Sequence, residues 1–208
     1  MAAAPLGRDF FARPTVEVAR ELVGCRIAVD PGTDAEVRAL LVEVEAYLGG
    51  DDPASHAHRG QTPRAAIMFG TPGHLYVYLS YGVHHCANLV TESHGRAGAV
   101  LLRSAQVERG EEIVRARRAR YPNRSTPGTT RVIAAPDLLR GPGNLCRGMG
   151  ITLGDNGLDV CSPASRVEVW PADHRPRIAR GPRIGISRAI DRPLRFTWRD
   201  HPAVSRPG

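Results

Sequence analysis

Four of the five tyrosines in this 208-residue chain, Tyr47, Tyr76, Tyr78 and Tyr81, fall between positions 47 and 81, although aromatic residues make up only 5% of the sequence. Glu43, Glu45, Asp51, Asp52, His56, His58, His84 and His85 lie in or beside the same interval. Flat rings that can stack a planar ligand and groups that can move protons are thus concentrated in one stretch, which marks it as the candidate site. A tyrosine-rich sheet face packed in an ordinary core is the bland alternative. Glu43 and Glu45, two apart in an extended segment, would stand roughly 6–7 Å from each other, near the carboxylate separation of inverting glycosidases. Such pairs normally face each other across a cleft from different elements, so neighbours on one strand are weak support. Imidazole and thiolate groups at His56, His58, His84, His85 and Cys86 raise the question of zinc, but their spacing matches no recognised ligand pattern, and no metal is expected.

These side chains need rigid elements to hold them. Thr15 is placed to cap a helix running to about Leu22-Val23, with Gly24 as its stop. Residues 39–47 alternate, with Val42 and Val44 on one face and Leu41, Glu43 and Glu45 on the other, the mark of a strand. Residues 49–72 are rich in Gly, Pro, Asp and His without apolar period, and so long a loop in a compact domain is usually functional. Leu75–Ser80 and Cys86–Val90 read as a hairpin around Tyr81-Gly82, and the apolar run 97–102 reads as a buried central strand. Tyr76 and Tyr78 then share a face, with Tyr81 near the tip. A helix is expected over Glu108–Arg120, a polar linker over Tyr121–Thr130, and a short helix after Gly141-Pro142-Gly143 whose amides could meet a phosphate. Several antiparallel strands are expected between Ile151 and Trp198.

Length and composition bound the rest. The chain suits one domain over residues 1–208, with no stretch near the roughly 20 apolar residues of a membrane span and no apolar centre of a secretory signal, so a soluble, cytoplasmic protein is expected. Four scattered cysteines without a Cys-x-x-Cys pair suggest buried free thiols rather than a disulfide framework. A formal net charge of +7 favours a polyanionic partner. All 28 Lys+Arg positions are arginine. Arginine forks onto phosphate oxygens, so the surface remains a good phosphate binder, but biased codon usage explains the missing lysine equally well. Without lysine no side-chain amine can form a Schiff base, and no P-loop lysine exists.

The run Glu43-Val44-Glu45-Ala46-Tyr47-Leu48-Gly49, then His56, Arg59-Gly60-Gln61-Thr62-Pro63-Arg64 and Met68-Phe69, resembles the core of the alkyladenine (3-methyladenine) DNA glycosylases. The resemblance continues through residues 72–78, Tyr81-Gly82, Cys86-Ala87-Asn88, Val100-Leu101-Leu102-Arg103, Gly141-Pro142-Gly143-Asn144-Leu145-Cys146 and Arg192-Pro193-Leu194-Arg195-Phe196, in order along nearly the whole chain. It implies a general base at Glu45, with Arg103 helping to hold that carboxylate and its water. It implies that Tyr47, His56 and Tyr78 sandwich a flipped base, that Asn88 crowds the exocyclic amine of normal guanine, and that Tyr81 inserts into the gap the base leaves. It further implies an α+β fold of one domain, with a mainly antiparallel curved sheet, surrounding helices and a protruding hairpin, working as a monomer without cofactor on double-stranded DNA containing damaged purines. Within a bacterium such a protein would sit with the nucleoid. A loop around His58 one residue shorter than in animal members, and His84-His85 where bulkier apolar groups are common, bear on damage preference rather than on the reaction. Two other readings stand beside this one: a non-catalytic nucleic-acid-binding module using the tyrosines as stacking platforms, and a hydrolase of free nucleosides.

Overall fold

The computed structural model describes residues 4–120 and 132–205, so the linker expected over 121–130 lies outside the described residues. Short helix α1 (Arg8–Phe11) and helix α2 (Thr15–Leu22) precede strands β1 (Arg26–Val29) and β2 (Val37–Tyr47), the hairpin β3 (Leu75–Ser80) and β4 (His84–Val90), and strand β5 (Ala99–Arg109). Helix α3 (Glu111–Ala119), strand β6 (Leu139–Arg140), helix α4 (Pro142–Met149) and strands β7 (Val167–Trp170), β8 (Ile178–Gly181) and β9 (Arg195–Trp198) complete the order. All pairings between these strands are antiparallel: the sheet runs β3-β4-β5-β2-β1-β7, with β6 beside β5 and β9 joining β2 to β8. The expected antiparallel sheet with surrounding helices and a projecting hairpin is therefore what the chain forms.

Strand β2 is central because both its faces are covered, and residues 41–46 are all buried. Its alternation differs from the expected one. Leu41 packs into the main core together with Val44 and Ala46, not on the face of Glu43 and Glu45. The cause is a double irregularity in the β2–β5 ladder: Leu41 pairs with Ala105, Glu43 with Ser104, and Val44 with Leu102. Val42 is thus extra on β2 and Arg103 extra on β5. Each extra residue flips the parity of its strand beyond that point, and the two bulges aim Glu43, Glu45 and Arg103 at one another.

Two other expectations need correction. Strand β5 continues to Arg109, and α3 begins only at Glu111. Gly110 turns the chain there at φ 78°, where a Cβ would meet the Glu36 carbonyl oxygen at 2.5 Å. Pro14, not Thr15, holds the cap position of α2. Thr15 is the first helical residue, and its N–H and hydroxyl both donate to the Glu92 carboxylate, which supplies the missing cap from a distant loop. Between Ile151 and Trp198 the expected antiparallel strands form as β7, β8 and β9, and residues 182–194 are irregular. The four cysteines are free thiols, three of them buried.

The long loop 49–72 forms two turns of 3-10 helix (His56–Arg59 and Ala66–Phe69). A small second core of Ala57, Ala65, Met68, Tyr76, Val90 and Ala99 seats it on the sheet. At Gly98 the chain passes so close to α2 that an added methyl would overlap Thr15 Oγ1 and approach Thr91 Oγ1 to 2.9 Å. Gly98→Ala should therefore destabilise the fold by roughly 1–3 kcal/mol, read as a lower urea midpoint with an unchanged slope.

Candidate active site

A cavity of about 720 Å³ opens between the hairpin, the loop 49–72 and residues 184–188. Tyr47, His56, Tyr78, Tyr81, Asn88 and Arg103 all line it. Glu45 lies directly behind this wall with no exposed surface. The structure thus brings Tyr47, His56, Tyr78, Tyr81, Asn88 and Arg103 together at one cavity with Glu45 covered behind it, while His84 and His85 lie elsewhere.

The two acids are set apart by their partners. Glu43 Oε1 accepts from Arg103 Nε at 2.9 Å, Arg195 Nε at 2.7 Å and the Ser205 hydroxyl at 2.7 Å, while its Oε2 accepts from the Ser205 N–H at 2.7 Å. Burial opposes the charge, but the two guanidiniums and Ser205 outweigh it and hold the Glu43 carboxyl below its ordinary range. Glu45 has fewer donors. Its Oε1 accepts from the Ile184 N–H at 2.8 Å and faces Arg103 Nη1 at 3.3 Å, and among the described residues its Oε2 accepts only the Tyr47 hydroxyl, at 2.9 Å. Burial raises the Glu45 carboxyl above the ordinary value, with Arg103, Ile184 and Tyr47 only partly offsetting it. One acid is saturated with donors and held charged, and the other is left with a raised proton affinity.

Tyr47 is fixed from below. Arg183 makes a bidentate pair with Asp52, at 2.6 and 2.7 Å, and donates to the Ala46 carbonyl. Its guanidinium lies 4.6 Å from the Tyr47 ring centroid. Both side chains of the pair are fully buried, and the next residue supplies the N–H that holds Glu45. Also lining the cavity, the Tyr76 and Tyr78 rings lie 5.3 Å apart, with His56 edge-on to Tyr78 at 4.7 Å. His56 Nδ1 is 2.8 Å from the Tyr76 hydroxyl. Burial, assisted by Arg64, lowers the His56 imidazole to about 4, so it is neutral at physiological pH. Asn88 Nδ2 donates to the Tyr76 carbonyl, which fixes its amide at the cavity wall.

At the hairpin tip Tyr81 is 88% exposed with φ 48°, followed by Gly82 at φ 68°. A tyrosine in the left-handed region carries strain, and a large ring held out in solvent gains nothing from folding. Both features suit a side chain kept for a partner. His84 and His85 sit at the start of β4 beside this tip, and among the described residues no three His, Cys, Asp or Glu side chains gather as a metal site.

Several participants escaped the sequence reading. Arg64, whose guanidinium lies 5.0 Å from the Tyr78 centroid, was visible only as part of a motif. Arg183, Ile184 and the wall they begin gave no signal at all, because their contribution is a backbone N–H and an ion pair 131 residues away from its partner in sequence. The arginines near the end of α3 prove largely structural: Arg115 pairs with Glu111, Arg117 donates to the Gly148 and Met149 carbonyls that end α4, and Arg118 donates to the Leu138 carbonyl.

The sequence matches the family model of methylpurine-DNA glycosylase over residues 9–202. The chain belongs to that family of hydrolases, which places it among the DNA glycosylases that repair alkylated purines. It is 44% identical over 196 residues to a protein of Mycobacterium tuberculosis provisionally named 3-methyladenine DNA glycosylase, covering 91% of this chain and 88% of that one. Proteins with the same provisional name from Nocardia farcinica (47% over 195 residues, 90% and 84% covered) and Cutibacterium acnes (44% over 200 residues, 93% and 96% covered) are similar over the same extent.

Because Arg183 and Asp52 are both fully buried, losing one leaves an uncompensated charge. Asp52→Ala should cost roughly 3–5 kcal/mol in chemical unfolding, well beyond an exposed aspartate such as Asp34 treated the same way.

Proposed function

We propose that this chain flips 3-methyladenine, 7-methylguanine, hypoxanthine or ethenoadenine from duplex DNA into the aromatic cavity and hydrolyses the N-glycosidic bond, with Glu45 as general base. The observation that carries the reading is the contrast between Glu43, saturated by donors, and Glu45, raised by burial and bonded on Oε2 only to Tyr47. A base stacked on Tyr47 shifts that ring, and the lone pair vacated by its hydroxyl receives the attacking water. Arg103, bridging both acids, orients the carboxylate. As the base departs, the sugar takes on oxocarbenium character, which ionised Glu45 stabilises while removing a proton from the water.

Tyr47 on one side, with His56 and Tyr78 on the other, sandwiches the base. Purines alkylated on a ring nitrogen are cations and good leaving groups, and they attract these rings by cation–π interaction worth about 0.5–2 kcal/mol. Arg183 behind Tyr47 and Arg64 over Tyr78 already draw on the same rings' electron density, so charge recognition is tempered and neutral lesions are admitted. His56, uncharged at neutral pH, acts as a wall and hydrogen-bonding partner rather than as a proton source. Asn88 crowds the exocyclic amine of guanine, and Tyr81 fills the vacated stack. The enzyme works as a monomer, without cofactor, inside the cell.

Glu45→Gln should keep its affinity for lesion-bearing duplex while base release falls by on the order of 100-fold or more, with Glu43→Gln losing chiefly stability. Since the base must be ionised and burial raises its carboxyl, single-turnover rates should fall as pH drops through a value above the ordinary carboxylate range near 4.5. A Glu45→Gln protein with wild-type rates would end the proposal.

With no lysine in the sequence, there is no side-chain amine to trap the sugar as an imine. Pure protein should leave intact abasic sites, visible as strand breaks only after hot alkali; breaks without alkali would contradict this.

A further inference from the structure

The β3–β4 hairpin separates two concavities. The base cavity is lined by Tyr78 to Tyr81 of β3 and the tip, together with Cys86 and Asn88 farther along β4. A second cleft, of about 270 Å³, lies against the other limb, lined by Val83, His84 and His85 and facing α3 and α4. Its remaining polar lining includes Arg117, Arg120 and Arg147, and among the described residues no acidic side chain borders it. The cleft is smaller than the roughly 300–1,000 Å³ of ordinary small-molecule sites, which suits a single group presented by a larger ligand.

Its walls are tied to the hairpin. His84 packs so closely on α4 that a Cβ at Gly143 would meet its ring and Cβ at 2.9 Å. Arg117 is locked onto the carbonyls at the end of α4, and a Cβ at Gly150 would meet its guanidinium at 2.9 Å. Arg120, at the end of α3, is exposed. A fixed cationic floor with an exposed arginine at the rim therefore sits at a set distance from Tyr81.

Resting on the glycosylase reading, we infer that this cleft binds a backbone phosphate of the undamaged strand, opposite the flipped nucleotide. The reason is steric. When Tyr81 enters the minor groove, roughly 6 Å wide, the two DNA backbones must pass on either side of the hairpin. The damaged strand delivers its nucleotide to the cavity beside β3. The complementary strand is left on the β4 side, where the arginines of the cleft form charge-assisted hydrogen bonds to phosphate oxygens. Contacts on both strands hold the duplex at the register that aims Tyr81 at the lesion.

The test uses the full chain and a duplex carrying a tetrahydrofuran abasic analogue, with neutral methylphosphonate linkages placed one at a time along each strand. Binding should weaken several-fold at one or two adjacent positions of the undamaged strand. In Arg120→Ala those same linkages should cost nothing further, and the slope of log K against log salt should fall by about one. Arg120→Glu should bind more weakly still, and both variants, changed at an exposed position, should keep the wild-type urea midpoint. Sensitivity confined to the damaged strand, or additive losses from Arg120→Ala and the linkages, overturns the assignment. Wild-type protein that releases bases normally but is blind to the undamaged strand refutes the cleft alone; wild-type protein that releases no damaged base refutes the function beneath it.

Discussion

The Arg103 guanidinium, shared between Glu43 and Glu45 in the middle of the sheet, is the constraint around which the rest of this molecule is arranged. Two carboxylates on one buried strand repel each other and lose hydration, an arrangement that survives only when cations and donors are brought to them. The chain brings Arg103 from β5, Arg195 from β9, Ser205 from the C-terminal segment and the Ile184 N–H from the irregular wall. The distribution is unequal, and the inequality has chemical value. The acid with most donors is kept an anion at little cost, and the other is left with a raised proton affinity next to an aromatic cavity.

A second buried pair performs a related task one layer out. Asp52 closes the loop 49–72 onto the sheet by accepting from the Leu48 and Ala54 N–H groups as well as from Arg183. Arg183 in turn stacks on Tyr47 and leads directly into Ile184. Loop position, ring orientation and carboxylate orientation are therefore coupled through a few residues without solvent access. This is the kind of preorganisation that electrostatic stabilisation of a developing charge requires.

Much of this was legible beforehand. The hairpin follows from Leu75–Ser80 and Cys86–Val90 flanking Tyr81-Gly82, the buried strand from residues 97–102, and the site from the crowding of tyrosines and acids between positions 43 and 88. What escaped depends on pairing across long separations. The bulges at Val42 and Arg103 leave no local mark, because period-two alternation is kept on each side and only the partner strand shows the slip. The boundary at Gly110 was blurred because Glu108 and Arg109 suit a helix start as well as a strand edge, and the pairing of Arg109 with Arg38 decided it. The wall from Ile184 onward was invisible since its contribution to the carboxylate is a main-chain amide, which every residue but proline possesses.

The linkage of Glu43 to Arg195 spans 152 residues, and that to Ser205 spans 162. During synthesis β2 leaves the ribosome long before either partner exists, and at roughly 5–20 residues per second the interval is on the order of ten seconds. For most of that time Arg103 is the cation available to both acids, and Glu43 lacks the rest of its donors. Full neutralisation of Glu43 thus waits for β9 and the segment after it, long after β2 itself has been made.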